Sequence, residues 1–201
     1  MQDNPAFSIL IFLAGAWLFK MWLGDARAGR SDSRAMPGAS FSGKFSVFLA
    51  VAGAVLILAA ETVLEKIFGF DASQSSVKFW ALLVWISAAA TEEIIFRGYI
   101  AIKNRGKVLL WAGAFAASVL FAAMHPFLWD YSAESGFVLN LSPKAFFSTG
   151  FIFLNSMWLY FARFNPSNKT ASLMPCFAAH AAYNIGVFAV KAAQGFVLWE
   201  F

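Results

Sequence analysis

FWALLVWISAAATEEIIFRGYI, residues 79–100, is an apolar run that acquires two carboxylates and a guanidinium in its last ten positions. A run of this length suffices to cross a bilayer as a helix. Glu92, Glu93 and Arg97 then stand where an ionisable group costs at least about 2.5–3.5 kcal/mol, so they call for a function and for partners inside a helix bundle.

Their spacing divides them. Glu93 and Arg97 are four apart, the separation at which an acidic residue meets a basic one on a helix face, and a charge-assisted pair lowers the burial cost of both. Glu92 is turned about 100° from Glu93 and points to an adjacent surface. It is the carboxylate left free to serve as a general base.

The rest of the chain has the same character. Of 201 residues, 60% are hydrophobic and 13% charged, with mean hydropathy +0.66, far from soluble-domain averages. Six apolar segments, Phe7–Leu23, Phe45–Leu64, Phe79–Ile100, Val108–His125, Ala145–Ala162 and Ala171–Val190, predict an all-α, multi-pass transmembrane bundle of about six helices. Helices are required because a lipid-exposed backbone must satisfy its own hydrogen bonds, and none of the runs alternates as a barrel strand would. One integral membrane domain, 1–201, is expected, with 79–190 as the core that carries three polar motifs. The connection PFLWDYSAESGFVLNLSPK, 126–144, reads as a long aromatic and acidic loop.

The net charge of +4 is read as a topology signal, not as a nucleic-acid surface. Loops after segments one, three and five carry Arg27, Arg30, Arg34, Lys44, Lys103, Arg105, Lys107, Arg163 and Lys169, against Lys66, Lys78, Lys144 and Lys191 in the other loops. The first set is expected in the cytoplasm, with both chain ends outside. Trp22, Trp80, Trp129 and Trp199 lie near segment ends, where amphipathic rings favour the interface, and are expected in belt or packing roles. Cys176, the single cysteine, reads as a small packing residue, and the N-terminal segment as a retained span.

Both histidines fall in or at predicted spans. His125 ends segment four in FAAMHPF, where Pro126 biases it away from helix, and Phe121 precedes it by four. His180 lies mid-span with Asn184 four residues on, on one face. Two Glu, an Arg, two His and an Asn over three apolar segments supply a base, a water-positioning group and hydrogen-bond donors, the parts of a hydrolytic site.

Glu92-Glu93-x-x-x-Arg97, Phe121-x-x-x-His125 and His180-x-x-x-Asn184, in this order, resemble the three motifs of the CPBP (Abi) family of intramembrane proteases. That family includes CAAX prenyl endopeptidases and bacterial bacteriocin-processing or immunity-associated proteins. The resemblance implies a glutamic-type endopeptidase in which Glu92 activates water, His125 holds the same water, and His180 and Asn184 stabilise the oxyanion. Glu93, Arg97 and Phe121 would support the site. It implies no cofactor, and as partners the lipid bilayer and a membrane-anchored protein or peptide substrate, in the inner membrane of a bacterium. A zinc variant, with Glu92, His125 and His180 as ligands, is the physical alternative, although no H-E-x-x-H is present. The other alternative is a non-enzymatic immunity protein, scaffold or small transporter using the same cluster.

One distance is awkward. From the Lys103–Lys107 loop, Glu92 lies about 17 Å along one helix and His125 about 27 Å along the next. Bringing them to one depth is expected to require tilt, or a stretch of Tyr99–Lys107 running along the membrane surface.

Overall fold

The computed structural model of the protein describes residues 4–134 and 136–200. Six α-helices follow one another: α1 (Pro5–Arg27), α2 (Lys44–Ile67), α3 (Ala81–Glu92), α4 (Lys107–Met124), α5 (Pro143–Phe164) and α6 (Met174–Ala193). Five of them match their apolar segments within a few residues, and α3 covers only the first part of segment three. The starts of α1 and α5 follow local rules. The Asn4 side chain accepts from the Ala6 and Phe7 amides, the Ser142 hydroxyl from the Ala145 amide, and each cap is followed by proline at the first helical position.

Segment three departs from expectation. Its α-helix ends at Glu92 and continues as a π-helical turn, Glu93–Tyr99, closed by the Ile100 amide on the Ile95 carbonyl at 2.9 Å. Seven residues of the wider winding follow twelve of α-helix, placing the motif where a rare geometry replaces the ordinary one.

Among the described residues α1, α2, α4 and α5 are long and apolar enough to cross a membrane. Neither α3, at 12 residues, nor α6, which carries His180, Asn184 and Lys191, is among them. Only 11% of the most apolar window of α2 is buried within the protein, and Leu10, Phe48, Leu56, Val108 and Leu154 face outward. An apolar outside on these helices is what a lipid solvent selects.

α6 is the hub, packing against α2, α3 and α5, while α1 lies on α3 and α4 on α5. Without a hydrophobic drive between helices in lipid, contact depends on small residues and hydrogen bonds. A Cβ at Gly15 would fall 2.0 Å from Ser87 Oγ, whose hydroxyl donates to the Ile11 carbonyl at 2.8 Å. A Cβ at Gly53 would fall 2.0 Å from the Trp158 ring, whose indole donates to the Ala50 carbonyl at 2.8 Å.

The basic loops collect at one end. Gly98 abuts Pro37, the Tyr99 hydroxyl reaches Met36, and the Ser172 and Thr170 hydroxyls donate to Ser40 and Phe41. Lys103, in the same region, is held below its ordinary ammonium value by burial and then by the Arg163 guanidinium. Arg163 itself is not a solvated loop charge. It is 1% exposed and donates through Nε to the Ala171 carbonyl, serving as an internal strut. At the opposite end Glu65 meets Lys144 and Gln74, and Lys191 donates to Gln74 and Ser75.

Two of the tryptophans take the packing role. Trp22 is fully buried, donating to the Pro37 carbonyl and packed edge-on to Phe177 at 4.9 Å, and Trp80 is buried too. Trp199 remains exposed. Cys176 packs inside as expected, with its thiol on the Leu159 carbonyl. The 126–144 connection is partly a hairpin, β2 (Trp129–Ser132) paired with β3 (Gly136–Leu139), built from β-forming Trp129, Tyr131, Phe137 and Val138. A two-residue parallel bridge joins β1 (Val77–Lys78) to β4 (Val197–Leu198) and anchors the segment leading into α3.

Because the indole bond to Ala50 prevents Trp158 from yielding, Gly53→Leu is expected to lose about 1–3 kcal/mol by overpacking, with Gly53→Ala less affected. Unfolding midpoints in detergent would measure both.

Candidate active site

Glu93 and Arg97 have no exposed surface and pair at 2.9 Å between Oε1 and Nη1. Thus the contact expected from four-residue spacing forms, here across the π-helical turn. The guanidinium also donates through Nη2 to Ser156 Oγ at 2.6 Å and to the Ser156 carbonyl at 3.1 Å. The Ser156 hydroxyl passes its own hydrogen to Ser118 at 2.8 Å, linking α3, α5 and α4. Around the cation stand the Phe121 ring at 4.6 Å and the Tyr160 ring at 5.2 Å, a partly aromatic cage that replaces hydration by cation–π attraction.

Glu93 Oε1 receives a second donor, His180 Nδ1 of α6, at 2.8 Å. The other nitrogen, Nε2, faces Glu92 Oε2 at 3.8 Å. His180 therefore stands between the two adjacent glutamates, one fully buried and one, Glu92, with 30% of its side chain exposed. The helix rotation that separates Glu92 from Glu93 is thus spanned by one imidazole. Since a carboxylate only accepts, Nδ1 donates to Glu93, and Nε2 is an acceptor in the neutral ring and a donor in the imidazolium.

Asn184, one turn further along α6, donates one amide hydrogen to the Trp85 carbonyl of α3 at 2.8 Å. Its second amide hydrogen is not used by that bond. His125 caps α4 with extended backbone, φ −77° and ψ 132°, as the following proline requires. Its Nδ1 donates to the Phe121 carbonyl at 2.8 Å, which leaves Nε2 as acceptor in the neutral ring. The His125 ring packs on Phe121 at 4.7 Å, and Phe121 packs on His180 at 6.3 Å.

The six polar motif residues and Phe121 thus form one neighbourhood, but among the described residues no hydrogen bond or ion pair joins Glu92 to His125. Phe121 is the element between the histidines. This ring also meets Phe96 of the π-helical turn at 4.9 Å. Residues 100–106 are irregular and lead through Gly106 at φ 88° into α4. Ser118, Ser156 and Tyr160 escaped the sequence reading, because isolated hydroxyls in apolar spans carry no motif. Their signal was only that polar groups at membrane depth need partners.

Among the described residues no three His, Cys, Asp or Glu side chains gather as a ligand set, and Glu92 approaches His180 without His125 joining them.

A family model, Type II CAAX prenyl endopeptidase Rce1-like, matches residues 74–186, more than half of the chain. The chain belongs to this family, and its activity class is that of a membrane-embedded CAAX-protease-type endopeptidase acting on membrane-associated substrates. No curated protein and no solved structure matches the chain.

Removing Arg97 strands a buried carboxylate beside His180. Arg97→Ala is expected to cost about 3–5 kcal/mol, whereas Ser156→Ala, which leaves the Ser156 carbonyl and Glu93 in place, is expected to cost about 1–3 kcal/mol. Chemical unfolding of the purified variants would separate the two.

Proposed function

We propose that this Rce1-like chain is a glutamate-dependent intramembrane endopeptidase that hydrolyses a peptide bond of a membrane-anchored protein or peptide. The observation that carries the reading is the placement of His180 between Glu93 and Glu92. A carboxylate and an imidazole nitrogen 3.8 Å apart are too distant for a direct hydrogen bond and near enough to share a water.

In this reading Glu92, the more exposed carboxylate, accepts the proton of the attacking water. His125 Nε2, left as an acceptor by the Phe121 carbonyl, orients the same water once substrate closes the site. His180, oriented by Glu93 and carrying its second proton, offers Nε2–H to the oxyanion, and the remaining amide hydrogen of Asn184 offers another. Glu93 and Arg97 position the imidazole and take no proton. The chemistry uses these side chains and water alone.

We place the protein as a single integral domain in a bacterial cytoplasmic membrane, with residues 79–190 as the catalytic core and the basic loops on the cytoplasmic face. Prenylated CAAX termini, leader peptides and sorting tails with a hydrophobic anchor all fit a site opening within lipid.

Glu92→Gln is expected to abolish cleavage by the purified protein while leaving it folded and inserted; full activity in that variant would refute the mechanism. His125→Ala is expected to be as severe. His180→Ala and Asn184→Ala are each expected to lower kcat on the order of 10²–10³-fold, the loss that follows removal of an oxyanion donor.

A further inference from the structure

α6 carries a second buried polar contact that the motifs do not explain. Tyr183, three residues from His180 and 3% exposed, donates its hydroxyl to Glu61 Oε2 on α2. Glu61 precedes residues 74–186, so the family match does not cover it. A carboxylate within an apolar span costs at least about 2.5–3.5 kcal/mol on insertion scales, and holding α2 to α6 does not require one. Gly186 already lets Leu58 approach so closely that a Cβ there would fall 2.3 Å from the leucine Cδ2.

What a hydrogen bond adds is direction. Apolar packing in lipid tolerates rotation of a helix about its axis, whereas a buried hydroxyl on a carboxylate has one good geometry. On its α3 side α6 is tied by His180 to Glu93 and by Asn184 to Trp85. On its α2 side Tyr183 to Glu61 is the one hydrogen bond among the described residues. Glu65, one turn along α2 from Glu61, is braced by Lys144 and Gln74, and Gln74 also receives Lys191 of α6. The acceptor for Tyr183 is therefore on a helix whose end is itself fixed.

We propose that Glu61 and Tyr183 are a positioning pair: their hydrogen bond sets the rotation of α6 that holds His180 between Glu92 and Glu93. Neither touches the reacting atoms. A misplacement of about 1 Å at such a site can cost about 10²-fold in rate, so losing the bond acts on turnover more than on substrate affinity.

The test uses the full chain in detergent or nanodiscs, and only its kinetic arm rests on the proteolytic reading. Tyr183→Phe, which keeps the ring, and Glu61→Leu are each expected to lower kcat about 10- to 100-fold with KM nearly unchanged. Glu61→Gln, whose amide oxygen still accepts the phenol hydrogen, is expected to retain most activity, and the double variant Tyr183→Phe/Glu61→Leu to be no worse than Glu61→Leu. In the second arm, His125→Gln leaves His180 as the only histidine, and ring-nitrogen-labelled protein reports it by NMR. The His180 resonances are expected to move in Tyr183→Phe and Glu61→Leu and to return in Glu61→Gln. Unmoved resonances or an unaltered kcat in Tyr183→Phe would overturn the proposal, as would a Glu61→Gln variant as damaged as Glu61→Leu. If the wild type cleaves no substrate, the proteolytic reading fails and the resonances alone decide the positioning pair. If Glu61→Leu does not fold, Tyr183→Phe carries both arms.

Discussion

A guanidinium with no exposed surface must find protein partners for hydrogens that water would otherwise take, and the interior of this bundle is arranged around that demand. Arg97 draws in Glu93 from its own segment, Ser156 from α5, and the rings of Phe121 and Tyr160 from α4 and α5. Buried ion pairs are weak sources of net stability, because desolvation offsets most of the attraction. Their use here is specification: with the two terminal nitrogens of the cation paired in this arrangement, and Nε left buried without a partner among the described residues, three segments acquire a fixed register. Ser118, at the end of the hydroxyl chain, extends that register to the helix that carries His125.

The same carboxylate then orients an imidazole. Glu93 shares one oxygen between Arg97 and His180, so the imidazole is oriented by a group that is itself held. Its other oxygen, Oε2, is buried with no partner among the described residues. Glu92, next in the chain but partly exposed, faces a different environment. Adjacent residues of one type are thereby separated into a buried support and an accessible group, a division produced by helix rotation and burial.

What the sequence made legible was local. Four-residue spacing foretold Glu93 with Arg97, proline foretold the end of α4 at His125, and apolar length foretold six helices. Contacts between distant segments were not legible, since nothing in a span announces that His180 meets Glu93 or that Tyr183 meets Glu61. For Trp22, position near a span end left belt and packing roles both open, and the Pro37 carbonyl and Phe177 that hold it inside lie on distant segments. The hairpin at 129–139 was missed because its apolar residues sit among turn-forming ones and form too short a run to show a period. The ring of Phe121 between the two histidines emerged only from packing.

The π-helical turn has a consequence for how this segment tolerates change in length. A wider turn amounts to one residue inserted into an α-helix without breaking it. Deleting one residue between Glu93 and Arg97 would let the segment relax to ordinary winding while the helix on either side nearly keeps its phase. Arg97 would then stand three residues from Glu93 and still share a face with it, so the ion pair outlasts the loss of the wider turn. The same deletion placed in a regular stretch such as α4 has no stored residue to absorb it, and there it would rotate everything beyond it by about 100°.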